Sequence, residues 1–171
     1  MRIGIAADHA GQTLKAMLAA YLGAKGHDVR PYGPAPDPDD DYPLIARVLG
    51  EAVRRGEVER AIFCCGSGIG PAVALNKMPG VRAAVVDNEW SARDAVSHVD
   101  VNVLTLGERV IGEELAKSLV DAYLGARPEG GRHERRRKQI DQLEERATSG
   151  VPARSESDRR VTTRGSTGRG L

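Results

Sequence analysis

The segment Cys64-Cys65-Gly66-Ser67-Gly68-Ile69-Gly70 leaves its surroundings few ways to fold. It follows Ala61-Ile62-Phe63, an apolar run that reads as a buried strand, and precedes Pro71 to Lys77, which reads as the first turns of a helix. Pro71 suits a first helical position, because the N–H it lacks would have no intrahelical partner there. Gly66, Gly68 and Gly70 let the backbone turn sharply and bring successive N–H groups close to a ligand. Strand, glycine turn and helix N-terminus together make a site for negative charge, with a thiol and a hydroxyl at its mouth. The spacing is neither the dinucleotide fingerprint nor a Walker loop. Taken alone, it also fits any strand-to-helix turn of an α/β protein, so the rest of the chain has to decide.

Read from the start, Arg2 to Ala7 is a short strand with Asp8-His9-Ala10-Gly11 at its carboxyl end. Leu14, Met17, Leu18, Tyr21 and Leu22 fall on one face of a helix that Gly26 can stop. His27 to Tyr32 reads as a second strand, and Gly33 to Asp41 has the composition of an exposed loop. A helix with Ile45, Val48, Leu49, Ala52 and Val53 on one face follows. After the glycine segment come a strand over Val81–Val86 and a helix capped by Asn88 that ends near His98. A fifth strand spans Asn102–Leu106, and the chain after Gly107-Glu108-Arg109 forms a helix to about Leu124, closed by Gly125. This alternation implies a parallel sheet covered on both faces, with ligands outside the carboxyl ends of the strands. Asp8/His9, Cys65/Ser67 and Arg109 all fall at that edge.

Composition narrows the function classes. At 40% hydrophobic and 29% charged the chain should be globular, and no apolar run is long enough to span a bilayer. Met1 leads straight into a strand, so no signal peptide is expected. Two adjacent cysteines cannot staple a fold, and nothing near them has zinc-ligand spacing, so a reducing cytoplasm fits best. Residues 132–171 carry 11 Lys/Arg against 6 Asp/Glu, a basic segment that could bind nucleic acid or supply arginines to a phosphorylated small molecule. A solvated helix and a floppy tail are the plainer alternative. The helical pattern after Gly130-Gly131 runs to about Ala147 with a thin apolar stripe (Ile140, Leu143, Ala147), suited to a sheet edge or another subunit. Residues 148–171 have too few large apolar side chains to offset the entropy of ordering and are expected to be disordered, leaving one domain over residues 1–147.

Several motifs, in this order, resemble the ribose-5-phosphate isomerase B type of sugar-phosphate isomerase, a group that also includes the galactose-6-phosphate isomerase subunits. They are Asp8-His9-Ala10-Gly11, Asp41-Tyr42-Pro43, Cys65 to Gly70, Asn76-Lys77, Ser97-His98, Asn102-Val103-Leu104, Gly107-Glu108-Arg109 and Gly130-Gly131-Arg132-His133. The resemblance covers roughly residues 1–147. It implies a Rossmann-like three-layer α/β/α sandwich with a five-stranded parallel sheet. It also implies aldose–ketose interconversion through an enediolate, without metal or cofactor. Cys65 is then the base, a role that a thiol at a helix N-terminus can fill. Ser67 and the amides of Gly66, Gly68 and Gly70 become oxyanion donors. Asp8 and His98 resemble the pair that opens the sugar ring. His9, Arg109, Arg132 and Arg136 map onto phosphate ligands, for which the guanidinium fork is suited. Tyr42 resembles a residue lining the sugar pocket, though it could equally pack a helix start. Arg135 and Arg137 have no motif support and read as a solvated face, and Cys64, pointing to the other side of its strand, reads as packing.

In such proteins the equivalent of His98 reaches into the neighbouring subunit's site, so a homodimer is implied, with the C-terminal arginines candidates for the same role and pairing into tetramers left open. Two positions depart from the common pattern. Val99 stands where an asparagine usually follows the catalytic histidine. Pro71 stands where relatives lacking the cysteine carry a glutamate base, which places this chain with the thiol type. Members with the same catalytic groups act on four-carbon or six-carbon sugar phosphates, so the sugar itself stays open. The rival from another class is a nucleic-acid-binding module using the basic C-terminus; aromatic content of 4% and the absence of a stacking platform count against it.

Overall fold

Apolar residues dominate four short segments, a fifth (Asp28-Val29-Arg30-Pro31) is more polar, and each forms a strand parallel to its neighbours. The computed structural model describes residues 1–34 and 41–149; most of the expected loop over 33–41 and of the expected tail lie outside the described residues. The strands are β1 (Arg2–Ala7), β2 (Asp28–Pro31), β3 (Arg60–Cys65), β4 (Ala83–Val85) and β5 (Val103–Gly107). Their order in the sheet is β2-β1-β3-β5-β4. The chain leaves β1 toward one edge and leaves β3 toward the other, so the crevice where ligands bind in such sheets opens between the ends of β1 and β3. Register sharpens this: Ala7 lies opposite Cys64, and Cys65 opposite Gly107. The loops beginning at Asp8, Gly66 and Glu108 therefore start side by side.

Helices cover both faces, giving the three-layer α/β/α sandwich. The helices α1 (Gln12–Ala24), α4 (Glu89–Val99) and α5 (Glu113–Gly125) pack on one face, where Leu14, Leu18, Leu22, Val96, Leu119 and Tyr123 join Ile3, Ile5, Ile62, Cys64 and Leu104. On the other, α2 (Tyr42–Arg54) and α3 (Ile69–Leu75) place Ile45, Leu49 and Leu75 against Phe63, Cys65 and Val103. One compact unit spans Met1–Arg137, and a second begins at Lys138 within α6 (Arg132–Thr148). The apolar stripe of α6 is exposed, 65% at Leu143. No helix among the described residues is long and apolar enough to cross a membrane.

Element ends differ from the expectations where backbone geometry outweighs side-chain pattern. Gly68 adopts φ +82° as the residue before α3, so that helix starts at Ile69 and Pro71 occupies its third position, still within the turn whose N–H groups lack helical partners. The strand expected over 81–86 shortens to β4, because Val81 and Val86 pack into the two cores outside the ladder. Between β5 and α5, Val110 and Ile111 donate back to the Gly107 carbonyl, which delays α5 to Glu113. Asn88 caps α4 as expected, its Oδ1 accepting from the Ser91 N–H at 2.8 Å.

Candidate active site

Three loops build the site, one from each of the central strands. After β1 the chain makes a single tight turn over His9–Gly11. Buried Asp8 starts it, with Oδ1 accepting from the Ala10 N–H at 2.9 Å. The Gln12 amide holds the turn from below, donating to the Asp8 carbonyl at 2.9 Å. A β-carbon at Gly11 would lie 2.2 Å from the Cys64 carbonyl oxygen, so only glycine lets this turn press against β3. The turn fixes Asp8 and leaves His9 exposed.

After β3, Cys65 is 5% exposed and the Gly68 N–H points at its Sγ at 2.9 Å. Gly68 was expected to serve an oxyanion; its amide instead faces the sulfur, aiming a donor at the atom that would carry charge as a thiolate. Ser67 is exposed at the tip, with Ile69 N–H a long 3.4 Å from its Oγ. Tyr42 packs so closely that a β-carbon at Gly70 would lie 2.8 Å from its ring.

After β5, Glu108 and Arg109 bond back to the glycine loop, Glu108 N–H to the Cys65 carbonyl at 2.8 Å and Arg109 N–H to the Gly66 carbonyl at 3.2 Å. The Arg109 guanidinium lies against Gly66. The Glu108 carboxylate caps α1 from across the sheet, accepting from the Leu14 N–H at 2.9 Å. Together the loops enclose an open cavity of about 380 Å³ lined by Asp8, His9, Tyr42, Cys65, Gly66, Ser67, Gly70 and Arg109, with Ala10, Pro71 and Val110 completing it. A second cavity, of about 400 Å³ between α1 and β2, is lined mainly by apolar atoms and has only Gln12, Lys15 and His27 for polar chemistry.

Cys64 faces the opposite core, and burial pushes its thiol well above the ordinary value, as suits a packing residue. Asn76 and Asn102, quoted among the motifs, act on the backbone. Asn76 bonds both the N–H and the carbonyl of Ala83 in β4, at 2.8 and 2.9 Å. The Asn102 side chain bridges the Arg82 N–H and the Gly80 carbonyl, both at 2.8 Å.

His98, Arg132 and Arg136 do not line the Cys65 cavity of their own chain. His98 ends α4, and its ring stacks on that of buried His133 with centroids 3.8 Å apart and planes 14° from parallel. Its Nδ1 lies 2.5 Å from Asp94 Oδ1. Arg132 Nε donates to His133 Nε2 at 3.0 Å, while Glu129 lies 3.7 Å from the same nitrogen. Burial, then His98 and Arg132 alongside, pushes the His133 imidazole below its ordinary value. Arg137, expected on a solvated face, instead donates to the His98 carbonyl at 3.3 Å and the Glu129 carbonyl at 2.8 Å. The donor atoms of His98, Glu129 and His133 lie within 4.8 Å of one another. The Arg132 guanidinium already occupies His133 Nε2, which takes that nitrogen away from any shared cation. Gln12, Asp94 and His133 were missed in the sequence. His133 stands inside a quoted motif, and Asp94 is one helical turn before His98.

The family model described as Ribose/Galactose Isomerase matches residues 3–140. Ribose-5-phosphate isomerase B of Escherichia coli is 43% identical over 145 residues, covering 85% of this chain and 97% of that protein. D-erythrulose-4-phosphate isomerase of Pectobacterium atrosepticum is 40% identical over 132 residues, covering 77% and 87%. The solved structure of ribose-5-phosphate isomerase B from Mycoplasma genitalium with bound ribulose 5-phosphate superposes with a TM-score of 0.80 at 38% identity, over 84% of this chain and 96% of that one.

Proposed function

This chain belongs to the ribose/galactose isomerase family, and on that footing we propose that it interconverts ribose 5-phosphate and ribulose 5-phosphate with Cys65 as base. The chain is a sugar-phosphate isomerase; the sugar and the residue roles are the proposal. The observation that carries it is Cys65 Sγ in the cavity between the central strands, with the Gly68 N–H directed at it and Asp8, His9, Ser67 and Arg109 around it.

In the forward direction the Cys65 thiolate removes the C2 proton of the open-chain aldose. The C2–H electron pair forms a C1–C2 double bond, and charge moves onto O1, where the Ser67 hydroxyl and the Gly66 and Gly70 amides serve as donors. O2 loses its proton as O1 gains one, and the Cys65 proton returns at C1 to leave a ketone at C2. No metal or cofactor enters this scheme. Asp8 takes part in opening the sugar ring, with His98 from a second copy, while His9, Arg109, Arg132 and Arg136 hold the phosphate and Tyr42 lines the sugar. The homodimer is supported by the position of His98, Arg132 and Arg136 away from the cavity of their own chain. Two free thiols fit a cytoplasmic setting.

Val99, and a relative that acts on D-erythrulose 4-phosphate, favour one second reading, the same chemistry on another phosphosugar. A substrate panel separates them: ribose 5-phosphate, erythrulose 4-phosphate, allose 6-phosphate and galactose 6-phosphate, assayed with Cys65→Ala beside the native chain. The expected result is the highest kcat/KM on ribose 5-phosphate and a loss of about 10²-fold or more in kcat for Cys65→Ala. A higher value on another sugar reassigns the substrate, and near-normal turnover by Cys65→Ala ends the role of that thiol.

A further inference from the structure

We propose that Asp94 is a positioning residue for His98: its carboxylate fixes the ring so that Nδ1 carries the proton and Nε2 is the atom that exchanges protons with the sugar. The inference rests on the reading of His98 as the ring-opening group and deepens it. Asp94 lies one turn before His98 on α4, with Oδ1 at 2.5 Å from Nδ1. A carboxylate only accepts, so the Nδ1–H must donate, and the lone pair of the neutral ring is left at Nε2. An unconstrained neutral imidazole prefers the opposite arrangement, with the proton on Nε2, and could not take a proton there.

The other groups around the ring leave Asp94 this task. His133 from α6 stacks flat against the His98 face, which restrains the ring plane but bonds neither nitrogen. His133 Nε2 is already an acceptor for Arg132, with Glu129 at 3.7 Å. Arg137 grips the His98 main-chain carbonyl and not its ring. Stacking thus sets the plane, and the carboxylate sets the rotation within it and the tautomer. A positioned carboxylate of this kind does for an imidazole base what it does behind the histidine of a serine hydrolase, without touching the substrate.

The test compares Asp94→Leu, Asp94→Glu and His98→Asn with the native chain, reading imidazole ¹⁵N shifts without substrate and kcat and KM separately on ribose 5-phosphate. Expected are an Nδ1–H tautomer in the native chain and a shift toward Nε2–H in Asp94→Leu. That variant should lose about 10-fold in kcat with little change in KM, and Asp94→Glu should recover part of both. A native tautomer and native kcat in Asp94→Leu overturn the proposal. Native turnover in His98→Asn overturns it at a different point, by removing the role that Asp94 is said to serve.

Discussion

At Cys64 and Cys65 the alternation of a strand sends one thiol to each face of the sheet, and their surroundings separate them further. Cys64 meets only packed side chains, while Cys65 meets a cavity and an N–H. That contrast was legible in the sequence, since a two-residue period and a following glycine turn suffice to state it. The partner of the Gly68 amide was not, because it depends on the backbone torsions of the intervening Gly66 and Ser67, which no pattern of residue types fixes. Asp94 was equally silent, an acidic residue on an amphipathic helix like many others. The arginines can be tested singly. Arg136 stands exposed on the first turns of α6, away from the packed core, so its removal should leave the fold intact. Arg136→Ala should raise KM for the phosphosugar about 10-fold or more with kcat little changed, because a charge-assisted contact to a non-reacting phosphate acts on binding. Steady-state kinetics check this, and an unchanged KM moves the phosphate site elsewhere.

Among the elements, existence and succession along the chain were readable from periodicity; their order in the sheet and their ends were not. The start of α1 shows why. Its first turn has no capping side chain of its own, and the acceptor comes from Glu108, 94 residues away in sequence. No local window contains that bond. Because Glu108 also donates its own N–H to the Cys65 carbonyl, it ties the helix that follows the Asp8 turn to the strand that carries the thiol. Glu108→Ala should lower stability by about 1 kcal/mol through the lost cap, with Glu108→Gln recovering most of it, since the amide oxygen still accepts. Urea denaturation measures the difference. Equal midpoints for the native chain and Glu108→Ala would show that the cap does not contribute to stability.

For the whole molecule, the chain's own cavity holds Asp8, His9, Cys65 and Arg109, while His98 and its cluster end α4 and begin α6 elsewhere. If two copies complete each site, subunits carrying Cys65→Ala and subunits carrying His98→Asn should complement each other. Each is nearly inactive alone, yet a mixed dimer has one site with both native groups, and random mixing should return about a quarter of native activity. Mixed dimers captured through two different tags and found inactive would place the whole site within one chain. The strand order adds a constraint on how the molecule is made. Among the described residues β4 pairs with no strand but β5, and β5 leaves the ribosome after it. Until about residue 107 has emerged, β3 presents an open apolar edge, and the strand translated before β5 has nowhere to dock. A nascent chain whose emerged part ends within residues 85–102 is therefore exposed to aggregation and to capture by chaperones. Its vulnerability is a matter of translation timing, set by a single inserted strand.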